Sequence, residues 1–264
     1  MFNYGFGGIL MNKKSKMILI ICIIIVVLGV GGYLIYNSMH KEPTPPIIDI
    51  PSGDIKTPDA KADSIVVQDV KVENYTDNRY INCVYPKITN LTDKEFENYI
   101  NKQIATNINE YRSEIEYIVD DETLPTEMYR YVTTYSRYNC DKYLSLVIDQ
   151  DYQTGGIRSN KWKDIYNINV ETQRIFYLEE LFEAGAKYEE AIIAEITKQA
   201  EAKNMELVGG NGLTKLPKKQ KFYIKDNKLT VYFDPSEISA TAFGEQHFEM
   251  PFTMNEKGFF EIGQ

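Results

Sequence analysis

The sequence predicts an α+β fold: antiparallel sheets, each packed by an amphipathic helix, preceded by a single transmembrane helix and a proline-rich linker. Three observations predict it. The stretch from Met17 to Tyr36 carries no charge. Two segments, opening near Thr92 and Lys187, repeat apolar residues at helical spacing. The other apolar residues fall in short alternating runs broken by Gly, Pro, Asn and Asp, as strands do.

Twenty residues at helical rise span about 30 Å, the thickness of a bilayer's hydrocarbon core. Lys13, Lys14 and Lys16 precede the stretch, and the next full charge is Lys41. Positive charge stays inside, so the expectation is a single-pass cell-membrane protein with a cytoplasmic N-terminus and an extracellular C-terminal domain. A cleaved signal peptide is the alternative, with Val30 and Gly32 as a small-residue pair, although the apolar run exceeds the usual ~7–15 residues. Residues 1–16 form the cytoplasmic tail, shorter still if translation starts at Met11, and either length is too small for a folded domain. Residues 37–63 read as the linker, since Pro43, Pro45, Pro46, Pro51 and Pro58 fall there. Such a segment is extended and reaches at most about 80 Å at ~3.1 Å per residue.

The chain's net charge is −9, and its first 36 residues hold three lysines and no acid, which leaves −12 on the remainder. That balance argues against nucleic acid and against adhesion to anionic lipid or wall polymer, and it suits a cationic partner. Cys22 lies in the span. Cys83 and Cys140 lie outside it, either bridged or free.

The folded part divides into subdomains at 64–150 and 151–264. Val66, Val70 and Val72 open a strand, and Tyr80–Tyr85 reads as a second, ended by Pro86. Thr92 and Glu95 form a capping box. Phe96, Ile100, Ile104, Ile108, Tyr111 and Ile115 then make one helical stripe. Met128–Arg137 and Tyr143–Asp151 form a hairpin, with Leu144, Leu146 and Ile148 on one side and Tyr143, Ser145, Val147, Asp149 and Asp151 on the other. Tyr129, Tyr131 and Tyr135 share a face, either a binding surface or one covered by the helix. Trp162–Val170 is a strand and Leu178–Phe182 a helical turn. Lys187–Asn204 is a second amphipathic helix, with Tyr188, Ile192, Ile196 and Ala200 in line. Phe222–Ile224 and Leu229–Phe233 form a hairpin, Gln246–Phe252 alternates, and Gly258–Ile262 closes the chain.

Chemistry-bearing motifs are sparse. His247 and Glu249 share a strand face and could serve as a base pair, but no nucleophile elbow, zinc motif or phosphate loop accompanies them. Asp149-x-Asp151 before Gly155 lacks the third acid and the closing glutamate of a calcium loop. Glu179–Glu180 and Glu189–Glu190 are adjacent in sequence and diverge on a helix. The sequence therefore predicts no catalytic residues, no metal and no cofactor.

Tyr152–Phe182, with YQTGGIRSN and YNINVETQRIFYLEELF, and Leu229–Phe252, LTVYFDPSEISATAFGEQHFEMPF, resemble the paired extracytoplasmic domains of two bacterial families. These are the lysozyme-responsive anti-sigma factors of the RsiV type and the N-terminal region of PdaC-type peptidoglycan deacetylases. Tyr80–Asn101 resembles the first half of the pair, and the resemblance covers nearly all of residues 64–264. It implies a non-enzymatic sensing or binding domain of the cell envelope, with lysozyme or a peptidoglycan fragment as partner. The alternative is a wall-polysaccharide module without signalling. The chain stops where the deacetylase's catalytic domain would begin, so deacetylation is not implied, and the tail is short for a sigma-binding region. Two loops depart from the family. Gly-Gly-Ala-His becomes Gly155-Gly156-Ile157-Arg158. Tyr-Glu-Ile-Ala-Pro-Tyr-Ala becomes the run Ser236–Ala242. The resemblance, together with irregular sequence between strands, places the binding residues at Gly155, Gly156, Arg158, Ser236, Glu237 and Phe243.

Overall fold

Alternating runs on either side of one long helix build the main sheet. In the computed structural model, residues 60–119, 128–156, 158–208 and 212–263 are described. The expected transmembrane helix at Met17–Tyr36, the tail, most of the linker and the acids Asp120, Asp121 and Glu122 lie outside them. Among the described residues no helix is long and apolar enough to cross a membrane. The main sheet runs in chain order: β1 (Val67–Tyr75), β2 (Arg79–Ile88), β3 (Tyr129–Cys140), β4 (Tyr143–Thr154), β5 (Asn160–Asn169) and β6 (Arg174–Ile175).

Neighbours in this sheet are antiparallel except β2 and β3, which pair in parallel from Arg79↔Tyr129 to Cys83↔Thr133. The expected antiparallel sheets are present, and this one parallel pairing is the departure from them. The helix α1 (Lys94–Val119) intervenes and carries the chain back along the sheet, so β3 starts where β2 started. Strand β2 also runs through Pro86 to Ile88. Pairing with β3 stops at Cys83, so a residue without N–H breaks no ladder on that side.

The cap of α1 lies one residue later than the Thr92–Glu95 box. Asp93 Oδ1 accepts the Glu95 and Phe96 N–H groups at 3.0 and 2.9 Å, satisfying two of the helix's open donors. Ile100, Ile104, Ile108 and Ile115 are fully buried against Ile81, Cys83, Leu144, Leu146 and Ile148. The shared tyrosine face is covered by this helix: Tyr111 lies 5.9 Å from Tyr131 between ring centroids.

The opposite face of the sheet meets a second layer. It comprises α2 (Tyr188–Ala202) and the antiparallel strands β7 (Phe222–Lys225), β8 (Lys228–Phe233) and β9 (Gln246–Glu249). A short ribbon, β10 (Thr253–Met254) with β11 (Phe260–Glu261), follows. Ser145 and Asn167 rivet the two layers. Ser145 Oγ accepts the Ile224 N–H at 3.1 Å and donates to Asn167 Oδ1 at 2.6 Å. Asn167 Nδ2 donates to the Phe222 carbonyl at 2.8 Å. Ser145 thus faces the second sheet, while its neighbours Leu144 and Leu146 face α1, as their alternation predicts.

The division expected at residues 150 and 151 falls inside β4. Packing also begins within the stretch read as linker. Ala62 is fully buried, its N–H donates to the Asp141 carbonyl at 2.7 Å, and Arg137 Nη2 donates to its carbonyl at 2.7 Å. Cys83 and Cys140 are free and sit in different apolar clusters.

Candidate functional site

Strand register gathers several loops at one end of the main sheet. Tyr75↔Tyr80 closes the β1–β2 hairpin, Arg79↔Tyr129 sets the start of β3 beside it, and Tyr129↔Thr154 adds the end of β4. Tyr152↔Asn160 then brings in the start of β5 and the Gly155–Arg158 tip. Helix α1 ends there too, since Asn74 Nδ2 donates to Glu116 Oε1 at 3.4 Å. Large apolar and aromatic side chains stand exposed at this end: Tyr117 at 82%, Tyr75 at 50% and Met128 at 47%, with Tyr80 beside Tyr75 at 5.1 Å between rings. Among the described residues eight such side chains are exposed, and these four with Phe243 make five of them. Single exposed apolar side chains need no explanation, whereas a gathered patch calls for one.

The connection between β8 and β9 opens toward the same end, and Lys163 fixes it there. The Lys163 N–H donates to Asp234 Oδ1 at 3.1 Å. Its ammonium, on a side chain only 11% exposed, pairs with Asp149 across the β4–β5 ladder and with Glu245 Oε2 at 3.1 Å, and lies 5.7 Å from the centre of the Tyr232 ring. Burial alone would lower the Lys163 pKa, but its hydrogen bonds and charge contacts with Asp149 and Glu245 outweigh that and raise it. Burial works to raise Glu245, yet His247 and Lys163 hold it below the usual carboxylate range. Asp234 also takes the Lys221 ammonium.

Both segments expected to bind are therefore brought toward one end of the molecule. Gly155 and Gly156 have φ of +70° and +68°, a left-handed pair that favours glycine. Arg158 is exposed, and among the described residues it joins no ion pair. Ser236 holds a left-handed φ of +69°, uncommon for a side chain that is not glycine, and its Oγ lies 2.8 Å from Thr241 Oγ1. Glu237 is committed to its own turn, where Oε2 accepts the Asp234 N–H at 2.8 Å; burial raises its carboxyl. Phe243 sits on a 3-10 turn, Thr241–Phe243, and is 41% exposed.

The base pair considered for His247 and Glu249 does not form. His247 Nδ1 lies 3.1 Å from Tyr223 Oη and Nε2 lies 3.0 Å from Glu245 Oε1, while Glu249 pairs with Lys228 at 2.5 Å. Asp149 takes Lys163, and Asp151 takes Arg130 at 2.6 Å and Lys161 at 3.7 Å. Among the described residues no group of three or more His, Cys, Asp and Glu is placed to hold a metal ion. Sequence reasoning missed Tyr75, Tyr80, Tyr117 and Met128. The available signal was that Tyr117 falls off the helical stripe and that tyrosines flank the Thr76–Arg79 turn.

Residues 72–161 match the family described as Deacetylase PdaC, and residues 179–253 match DUF3298, described as a protein of unknown function. Among solved structures, a DUF3298 family member from Bacteroides fragilis aligns with a TM-score of 0.50 at 14% identity, covering 71% of this chain and 90% of that one. A DUF3298 protein from Pseudomonas aeruginosa aligns with a TM-score of 0.50 at 11% identity over the same shares. At these identities the likeness shows the fold alone. No curated protein matches the chain. The chain carries a PdaC domain at residues 72–161, followed by a DUF3298 domain at residues 179–253.

Proposed function

We propose that the chain is a membrane-anchored, non-enzymatic binding module of the bacterial cell envelope. Its recognition surface is the loop-bearing end of the main sheet, and its partner is a cationic envelope protein such as lysozyme. The observation that carries this reading is the gathering of Tyr75, Tyr80, Tyr117 and Met128 beside the Gly155–Arg158 tip. Tyrosines offer large contact area with little side-chain entropy to lose, and exposed apolar groups gain most when a partner covers them. The β8–β9 stretch from Asp234 to Glu249 contains four acids and no lysine or arginine, which favours a basic partner. The committed partners of Lys163 and His247 support a structural polar cluster over a reactive one. The resemblance to lysozyme-responsive anti-sigma factors supports the same partner. A signalling role would run through a cytoplasmic protein that meets the segment before Met17.

The test is titration of the full chain, held in detergent micelles, with lysozyme at low salt and at about 0.15 M salt, where the screening length falls to about 8 Å. Binding should weaken with salt. A Tyr75→Ala/Tyr117→Ala variant should lose roughly tenfold or more, the scale of two modest interface contacts. An unchanged affinity in that variant, or no binding at high micromolar lysozyme, contradicts the proposal.

A further inference from the structure

A second surface carries the opposite charge. Between Gly212 and Lys228 the sequence places six lysines against one aspartate, in a chain whose net charge is −9. Part of this run borders a groove of about 460 Å³, formed with the 3-10 turn Leu178–Leu181 and the start of α2. Tyr177, Tyr188, Lys215, Lys218, Lys219 and Glu179 line it.

The run is held in place from beneath. Leu216 is buried and its N–H donates to Glu189 Oε1 at 2.8 Å. Gln220 is buried and its Nε2 donates to the Tyr232 carbonyl at 2.7 Å. With those two pinned inward, Lys215, Lys218 and Lys219 stay exposed, and among the described residues none of the three joins an ion pair. The lysines that do pair, Lys221 with Asp234 and Lys228 with Glu249, lie outside the groove lining. On the facing wall Tyr188 stacks on Phe182, with ring centres 4.9 Å apart and planes 12° apart, so its ring is backed and fixed. Tyr177 is 44% exposed.

We propose that this groove binds an anionic glycan, a chain of sugar rings bearing carboxylate or phosphate groups. Each part of that ligand has a counterpart. Unpaired ammonium groups meet the anions as point charges. Aromatic faces meet the apolar faces of sugar rings. The exposed carboxylate of Glu179 can accept from sugar hydroxyls. An open groove suits a strand that runs through it better than a small enclosed molecule. The net acidity of the chain repels polyanions at long range, so the groove would act only at contact, where those lysines dominate. The groove lining shares no residue with the exposed tyrosines of the loop-bearing end or with the two loop segments above, and the proposal does not depend on the lysozyme reading.

The test sediments the full chain with purified wall sacculi, either untreated or stripped of phosphate polymers with hydrofluoric acid. The parent chain should co-sediment with at least one preparation. Binding to both assigns the anion to carboxylates, and binding to untreated sacculi alone assigns it to phosphate. Changing Lys215, Lys218 and Lys219 together to Glu should weaken binding on the order of tenfold, at a few-fold per exposed charge contact. The same change to Gln should weaken it less. Tyr177→Ala should weaken it a few-fold. The thermal melt should stay as in the parent, and so should the lysozyme titration at about 0.15 M salt, where distant charges are screened. Three results overturn the proposal: no co-sedimentation of the parent, equal binding by both triple variants, or equally tight binding of a single-stranded oligonucleotide, which would make the run a general cationic patch.

Discussion

Replacing Lys163 with Met probes the joint that holds the β8–β9 connection against the main sheet. Methionine keeps most of the apolar stem and deletes the charge. The Lys163 side chain is 11% exposed, but Asp149 and Glu245 are 42% and 40% exposed. A fully buried pair that loses one partner costs about 3–5 kcal/mol, and an exposed pair about 0.2–1 kcal/mol. Here the orphaned carboxylates can hydrate, so the expected loss is about 1–2 kcal/mol, nearer the exposed limit than the buried one. For a folded unit of this size that corresponds to a fall in Tm of roughly 2–8 °C.

The loss also has a pH signature. The folded pKa of Glu245 is held down, so its contribution is present above the usual carboxylate value of 4.5 and disappears as pH falls below it. The folded pKa of Lys163 is raised, so its contribution is present below 10.5 and disappears as pH rises through its folded value. The gap between parent and Lys163→Met should therefore be full from about pH 5 to about pH 10 and close on either side. Urea denaturation at acidic, neutral and alkaline pH measures it. A neutral-pH loss above about 4 kcal/mol, or a gap that does not change with pH, refutes the reasoning, because the cluster would then be sealed from water or the charge irrelevant.

Two further outcomes test the fold. Ile104→Ala, in the middle of the α1 stripe where the side chain is fully buried, should cost about 2–5 kcal/mol by urea denaturation; a loss under about 1 kcal/mol would mean the helix is not packed as described. In a Cys22→Ser background, Cys83 and Cys140 should resist alkylation until the chain unfolds. Burial pushes the Cys83 thiol up to about 11, and both thiols are free. A mass gain that depends on prior reduction would contradict this.

The α1 stripe and the two faces of β4 were legible in the sequence, because each rests on a periodicity that local chemistry sets. The start of α1 was misread by one residue, since Thr92, Asp93 and Glu95 offer overlapping caps and only the folded chain selects Asp93. The parallel pairing of β2 with β3 left no local trace, as alternation is the same in either direction. The Gly155–Arg158 and Ser236–Phe243 segments could be named as irregular, but what brings them toward one end is the β4–β5 register for the first and the Lys163 cluster for the second. A single lysine in a strand reads as a solvated charge until a second sheet covers it. The exposed tyrosines went unread for a related reason: Tyr75 and Tyr117 become neighbours of one surface only through the strand register.

Hydrogen exchange of the full chain with and without lysozyme tests the recognition surface most directly. Slowed exchange confined to Tyr75–Tyr80, the end of α1, Gly155–Arg158 and Asp234–Glu245 is the predicted footprint. Protection instead around the opposite hairpin, Asn139–Tyr143, or no change at saturating lysozyme, would contradict the account.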